Sequence, residues 1–457
     1  MVSEKSSVFE VEWVNHASYV IKFQEIQLLV DPWIFGDCFD DSWSLLVDSA
    51  FTLNDFERIT HIWFSHEHPD HFSPWVLSAI PKKYRESITV LFQETSDKRV
   101  INFCKKLFSK VEELPDRKSF LLSDVFKLTC GKMMNIDSWL LAEIDNTKIL
   151  NLNDCVIDSP QLVKSIKKIT GEVDILLTQF SYANWEGNPE ETEKRLASAS
   201  EKLERVNIQV RGFSPKYVIP FASFVYFSHS ENRYMNDAIN SVDRVNSFLL
   251  EQTNSKPLVF YPGDRWSYGE VRSNTESLKK YKEHYEKINK KKFKKSNKPI
   301  TNDILGSLAE NYIRNLKKKN SLLILKLLNS FPKNLGFKRL VIKLSDTGQI
   351  CEFDLIKGLS FHERGSIVGA DVELSSNSLN QILKFEWGIG TVLINARFKA
   401  TEKGYRIFKR IFVFGIWNSV DRYLCFKTIL KLMLMFLFLG KKLKTYNDFS
   451  FYKSWQI

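Results

Sequence analysis

Three of the chain's eight histidines fall between positions 66 and 71, in the stretch Phe64-Ser65-His66-Glu67-His68-Pro69-Asp70-His71-Phe72. The apolar run Ile62-Trp63-Phe64 ahead of them reads as a buried strand, which Pro69 and Pro74 bring to an end. The cluster therefore sits where a strand leaves a core and its side chains can converge. That demands a fold whose strand ends meet in one place. His66 and His68 alternate by two and point to the same side of an extended chain. Asp70 and His71 lie in the turn beyond, where they can face a second ion. Neutral imidazoles with a carboxylate among them are ligands for zinc, iron or manganese.

The first half of the chain supplies the strands. Residues 8–14, 18–23 and 26–31 alternate as antiparallel strands do. The turn Asn15-His16-Ala17-Ser18 joins the first two, and Asp31-Pro32-Trp33 closes the third. Beyond the cluster, 75–79 and 98–108 read as helices about a strand at 88–92. Strands follow at 126–130, 139–144 and 149–154, the last ending in Asn153-Asp154-Cys155. Asp154 reads there as a ligand at a strand end or as a helix cap, since Ser159-Pro160 starts a helical stretch. A strand at 173–180 leads into the Gly/Asn/Pro loop 181–189, which holds Asn184 and Trp185. Loops at strand ends are places for substrate contacts. Residues 190–240 read as mostly helical, interrupted by a strand at 217–227 that carries Tyr226. His229 and Asn232 come next, and 258–264 reads as a last strand and turn.

The spacing His66-x-His68-x-Asp70-His71 resembles the signature of the metallo-β-lactamase superfamily. The resemblance implies an α/β fold, the αββα sandwich, holding two divalent metal ions: iron or zinc, with manganese as a further option. It implies His66 and His68 on one ion, Asp70, His71 and His229 on the other, and Asp154 bridging them. Asp70 and Asp154 are the residues expected at the reacting atoms. The turn carrying His16 and the Asp31-Pro32 strand end would line the floor, although His16 reads equally as a satisfied turn histidine. Substrate contacts are expected from His16, Asn184, Trp185, Tyr226 and Asn232. The family usually supplies one more histidine to the first ion, between the cluster and the bridging acid. No histidine stands between His71 and Asp154. Cys130 and Asp137 lie in that interval. A thiolate there would favour zinc and a carboxylate iron, with solvent as the third option.

Segment by segment, roughly residues 8–267 look most like the metallo-β-lactamase part of CMP-N-acetylneuraminate hydroxylase and its bacterial relatives. The matching stretches are Val14-Asn15-His16-Ala17, Leu29-Val30-Asp31-Pro32-Trp33, the histidine cluster, Asn151-Leu152-Asn153-Asp154-Cys155, Gln179-Phe180-Ser181, 220–226 and 231–237. That hydroxylase also carries a Rieske iron–sulfur centre, which needs two cysteines and two histidines in short paired motifs. This chain has no Cys-x-His and no Cys-x-x-His. It cannot hold such a cluster, so oxygenase chemistry would draw electrons from a separate donor protein or rely on the di-iron site alone.

Charge divides the chain. Residues 279–298 hold ten lysines against two glutamates and so carry about eight of the eleven net positive charges. One basic solvated helix or linker accounts for this, and no specific nucleic-acid partner is expected. The expected organisation is a catalytic domain over 1–270, a lysine-rich linker or helix over 271–300, a smaller α+β domain over 301–425, and an apolar, basic tail over 426–457. In the third unit 304–328 reads as helix, and 340–344, 370–374 and 390–398 alternate as strands, similar in pattern to sterol-carrier-type modules. The apolar run 429–439 is too short to span a bilayer. It reads as a core helix or as an interfacial helix giving peripheral membrane contact. Six scattered cysteines argue against a disulfide framework. The polar opening 1–7 lacks an apolar signal core, so the expected location is the cytoplasm.

Three functions are compatible with these features. The first is a non-haem di-iron monooxygenase acting on an N-acylated or nucleotide-linked sugar. The second is a metal-dependent hydrolase of a phosphoester, lactone or amide, with the C-terminal module suiting a lipid-like substrate. The third is a scaffold that keeps the fold without catalysis. The first two require a small-molecule substrate.

Overall fold

The computed structural model describes residues 8–133, 136–296, 298–330, 339–362 and 369–425. The apolar tail at 426–457 lies outside the described residues. Two seven-stranded sheets form the first unit. One runs in the order Arg265–Ser267, Glu10–Asn15, Ser18–Phe23, Ile26–Val30, His61–Phe64, Thr89–Gln93, Lys110–Leu114. The other runs Lys256–Pro257, Tyr217–Phe221, Ile175–Gln179, Thr147–Asn151, Ser138–Ile144, Phe126–Lys132, Ser119–Ser123.

Strict alternation decides which side chains face where. Leu28 and Val30 join Trp63 and Leu91 in a core shared with Leu128, Trp139, Leu150 and Leu177 of the second sheet. Leu29, Ile62, Phe64, Val90 and Phe92 point the other way, against Val76, Leu77, Val100 and Ile101 of two covering helices. Helices Pro160–Thr170 and Thr192–Phe213 pack on the second sheet through Val163, Ile166, Val206 and Val210. The result is the αββα sandwich, followed by a smaller α+β domain.

Parallel pairing sets the position of the site. Ile26–Val30, His61–Phe64 and Thr89–Gln93 run parallel in one sheet, and Thr147–Asn151, Ile175–Gln179 and Tyr217–Phe221 run parallel in the other. Their carboxyl ends gather at one edge, the usual place for a site in α/β sheets.

The lysine-rich stretch is only in part a solvated segment. It opens within the helix Thr275–Lys287, whose Tyr281 is buried in the first core. Further on, Lys294 pairs with Asp37, and Lys291 donates to the Leu46 carbonyl at 3.3 Å.

The second unit has a five-stranded sheet, ordered Gly358–His362, Ile350–Asp354, Leu340–Leu344, Val372–Leu374, Phe398–Ala400, covered by helices. Two expected strands are not strands. Residues 258–264 form a loop between Lys256–Pro257 and Arg265–Ser267. Most of 390–398 belongs to the helix Gly388–Asn395. Its Ile389, Val392 and Asn395, three apart, are the buried face. A short apolar run fits either period, and packing decides. Gly388 permits that packing: a Cβ there would meet the Gln381 carbonyl at 2.1 Å. Among the described residues no helix is long and apolar enough to cross a membrane.

Candidate metal centre

Asp31 is the hub of the strand ends. The chain leaves the sheet at Val30, and the Asp31 carboxylate is fully buried. It accepts from Ser65 N at 2.8 Å, Ser65 Oγ at 2.7 Å and Asn153 Nδ2 at 2.7 Å. It also lies 2.9 Å from His71 Nδ1. His71 therefore donates its Nδ1–H to Asp31 and turns Nε2 toward the site. Ser65 passes the same control to His66. With its own proton on Asp31, Ser65 Oγ accepts from His66 Nδ1 at 2.9 Å, leaving His66 Nε2 free.

The free nitrogens converge with carboxylates. His66 Nε2 lies 2.9 Å from His68 Nδ1. Two nitrogens, each about 2.1 Å from one ion at a right angle, would be about 3 Å apart. Asp137 Oδ1 and Asp154 Oδ2 stand 3.9 and 4.0 Å from His66 Nε2. Asp154 Oδ2 is also 3.3 Å from His71 Nε2, which places it between the two histidines. Asp70 Oδ2 lies 3.4 Å from His71 Nε2 and 3.4 Å from His16 Nε2. Ligand atoms of His66, His68 and Asp154 form one group within 4.8 Å of one another, and those of His16, Asp70 and His71 form another.

These residues fit metal ions. Asp70 Oδ1, His71 Nε2 and Asp154 Oδ1 are buried without a hydrogen-bond partner. Orphaned polar atoms each cost on the order of 1–3 kcal/mol, and a shared cation would satisfy all three. His16 plays a different part. Its Nδ1 accepts the Phe224 amide at 3.2 Å, so the ring carries its proton on Nε2. That nitrogen donates toward Asp70 and is not a free lone pair for an ion.

Electrostatics separates the two groups. Burial, and then the neighbouring His71 and His68, hold His66 well below the ordinary histidine range. Burial lowers His68 as well, so both rings are neutral. Burial also works to lower His71, but Asp70 and Asp154 outweigh it and raise the ring well above the ordinary value. Burial would raise Asp70, yet His71 and His16 hold its carboxyl well below the usual range. Burial and the neighbouring Asp154 push the Asp137 carboxyl up to about 7.

Of the alternatives for the interval between His71 and Asp154, Asp137 stands beside His66. Cys130 instead faces the core between the sheets, its thiol pushed up to about 12 by burial. Left-handed backbone at non-glycine residues occurs at His16 (φ 24°), Asp31 (40°), Phe39 (53°), Asp40 (60°), Asp41 (55°), Asn153 (51°) and Ala222 (46°), half of the fourteen such positions among the described residues. Such residues cost about 1–3 kcal/mol each and persist only where their surroundings fix them.

Several expected site residues are occupied elsewhere. His229 belongs to neither ligand group. After Ala222 the chain enters the ribbon of Val225–Phe227 with Trp43–Leu45, which carries His229 to the junction with the second unit. There its Nδ1 accepts from Glu231 N at 3.2 Å, and Nε2 lies 3.5 Å from Ser296 Oγ. Asn232, fully buried, donates to the carbonyls of Ser42 and Asn395. Trp185 stacks on Phe398 with ring centroids 5.0 Å apart. Trp185 and Asn232 are spent on docking the second unit, which offered them apolar and carbonyl partners invisible in the local sequence. Tyr226 lies under the Lys291 ammonium, and Asn184 is exposed.

Two residues escaped the sequence reading. Lys202, on helix Thr192–Phe213, donates to Gln179 Oε1 at 2.9 Å. Burial brings its ammonium down to about 8, with Asp154 opposing. Phe39 sets its ring edge-on to His68, centroids 5.8 Å apart. Neither carries a motif. The orienting role of Asp31 was signalled only by the Asp-Pro pair ending an apolar strand.

Comparison with known proteins bears on the same region. Residues 10–180 match the family model described as beta-lactamase superfamily domain. The cytidine monophosphate-N-acetylneuraminic acid hydroxylase of Xenopus laevis is 22% identical over 274 residues, covering 55% of this chain and 44% of that protein. Its namesake in Danio rerio is 23% identical over 252 residues, covering 49% and 40%. The chain thus spans less than half the length of these relatives. The solved structure of CmlA, a diiron beta-hydroxylase from Streptomyces venezuelae, is 15% identical with a TM-score of 0.41, covering 58% of this chain and 54% of that one. That likeness is too slight to bear on chemistry.

Proposed function

We propose that this chain, whose residues 10–180 form a beta-lactamase superfamily domain, is a dinuclear metal enzyme that hydroxylates a small molecule with dioxygen. His66, His68 and Asp137 would hold one ion, Asp70 and His71 the other, and Asp154 would lie between. Ions in such a set supply Lewis acidity and, as iron, redox chemistry with dioxygen. The observation that carries this reading is the half-buried Asp137 beside His66, where a third histidine would make a softer, zinc-like site. The chain's own residues do the positioning. Asp31 fixes the tautomers of His71 and, through Ser65, of His66. His16 donates to Asp70 and holds that carboxylate in its ionised form.

The named relatives act, by their printed names, on a cytidine monophosphate-linked N-acetylneuraminic acid. The substrate proposed here is accordingly an N-acylated or nucleotide-linked sugar. Hydroxylation takes one oxygen atom of dioxygen into a C–H bond and reduces the other to water, which consumes two electrons and two protons. A separate electron-donor protein is proposed to supply the electrons. The test is metal analysis and oxygen uptake of anaerobically purified, iron-loaded protein. Two irons and reductant-dependent oxygen consumption are expected. Two tightly held zinc ions with no oxygen uptake would overturn the reading.

A hydrolase is the second reading. The observation behind it is that His229 stands apart and His16 is a donor, so among the described residues Asp70, His71 and Asp154 would face the second ion. That leaves room for a water nucleophile oriented by Asp70. Turnover of generic phosphodiesters, lactones or amides with zinc or manganese would favour it.

A further inference from the structure

The loop over the His68 side of the site is held in a conformation that its own residues disfavour. Phe39, Asp40 and Asp41 are three consecutive non-glycine residues with φ of 53°, 60° and 55°. L-residues visit this region singly, and a run of three needs external restraint. Phe39 packs edge-on against both His68 and Trp43.

The restraint comes from the second unit. Arg397, 4% exposed, donates from Nη1 to the Asp40 carbonyl at 2.9 Å and to its carboxylate at 2.8 Å. Its Nε reaches Glu231 at 3.0 Å and its Nη2 reaches Ser296 at 2.9 Å. Asn395 Nδ2 donates to the Phe39 carbonyl at 3.3 Å. Asn232 ties the Ser42 carbonyl at 3.0 Å to the Asn395 carbonyl at 2.7 Å. The left-handed run is thus fastened at Phe39 by Asn395 and at Asp40 by Arg397, while Asn232 links the following Ser42 to Asn395. The same unit grips the neighbouring loop through a reciprocal pair between Asn188 and Ala400, both at 2.9 Å.

We infer that Arg397 and Asn395 are positioning residues of the metal centre: they clamp the loop 39–41 so that Phe39 fixes the ring of His68. The C-terminal unit is then part of the site wall, although the family-model match stops at residue 180. Arg397 touches no reacting atom and acts through the loop. This inference rests on the metal-centre reading above.

Cobalt(II) is the probe, added to the full chain. A His68→Ala variant identifies which d–d bands belong to the His66/His68 half. The clamp is broken by the double variant Arg397→Met with Glu231→Gln, which leaves no buried charge unpaired. It is weakened separately by Asp40→Gly, which removes the carboxylate contact but keeps the carbonyl one, at an exposed position where glycine accepts the left-handed backbone. Cobalt release from the His66/His68 half to a chelator is expected to accelerate about tenfold, with its bands shifted and the thermal midpoint nearly kept. A smaller change in the same direction is expected for Asp40→Gly, which decides the matter if the double variant fails to fold. Release within twofold of wild type and unshifted bands in a folded variant would overturn the clamp. Failure of the wild type to bind cobalt at all would remove the metal-centre reading and the clamp with it.

Discussion

The two halves of the centre follow opposite electrostatic plans. The His66/His68 half brings neutral imidazoles together, with burial and mutual repulsion keeping protons off. The Asp70/His71 half sets an ionised carboxylate against a histidine that, without an ion, carries a proton. The imidazoles of the first are ready to take a cation, whereas the histidine of the second must exchange a proton for one. A single buried carboxylate, Asp31, orients both halves: His71 directly and His66 through Ser65. The halves therefore differ in readiness while sharing one frame.

Removing the frame should have the largest effect. Asp31→Ala strips the acceptor from Ser65, Asn153 and His71 at a fully buried position. It should cost about 3–5 kcal/mol of stability, as loss of one partner in a buried charged network does, and abolish binding of both ions. Thermal unfolding and elemental analysis check it. Retention of both ions would show that the halves are oriented independently.

Next comes selective loss. His68→Ala should reduce metal content from two ions to about one per chain, with the remaining ion on the Asp70/His71 half. The converse single loss, or loss of neither, would break the division proposed between the halves.

Much of the fold around the site was legible in the sequence. Alternation at 18–23 and 26–31 announces strands, because a half-buried strand must repeat every two residues. The spacing of His66, His68, Asp70 and His71 announces side chains that converge, because a strand end fixes their directions. The rest depends on long-range packing. Helix Gly388–Asn395 read as a strand because a short apolar run fits either period. His229 read as a ligand because it follows a strand, yet the ribbon beneath it turns away. The contact between Asp40 and Arg397 joins residues 357 apart and leaves no local pattern.

His16 sharpens the comparison at a smaller scale. As a donor to Asp70, His16→Gln should keep both ions and weaken the second by about 10- to 100-fold, the usual range for an orienting partner. Competition with a chelator measures this. Complete loss of the second ion would make His16 a ligand.

The smallest expected effect is in proton release. Because Asp137 is raised to about 7, its carboxyl carries a proton at pH 6, and an ion binding there must displace it. Wild type should release up to about one proton more than Asp137→Asn on metal binding at pH 6, with the difference vanishing above pH 8. Calorimetry in buffers of different ionisation enthalpy reads it.

The central claim is a pair of ions divided between these halves with Asp137 in the first. Anomalous diffraction at the metal edge of iron-loaded crystals tests it most directly. Two peaks about 3.5–4 Å apart are expected, one within bonding distance of His66, His68 and Asp137, the other of Asp70 and His71, with Asp154 between. A single peak, or a first ion bound by Cys130 or solvent in place of Asp137, would contradict it.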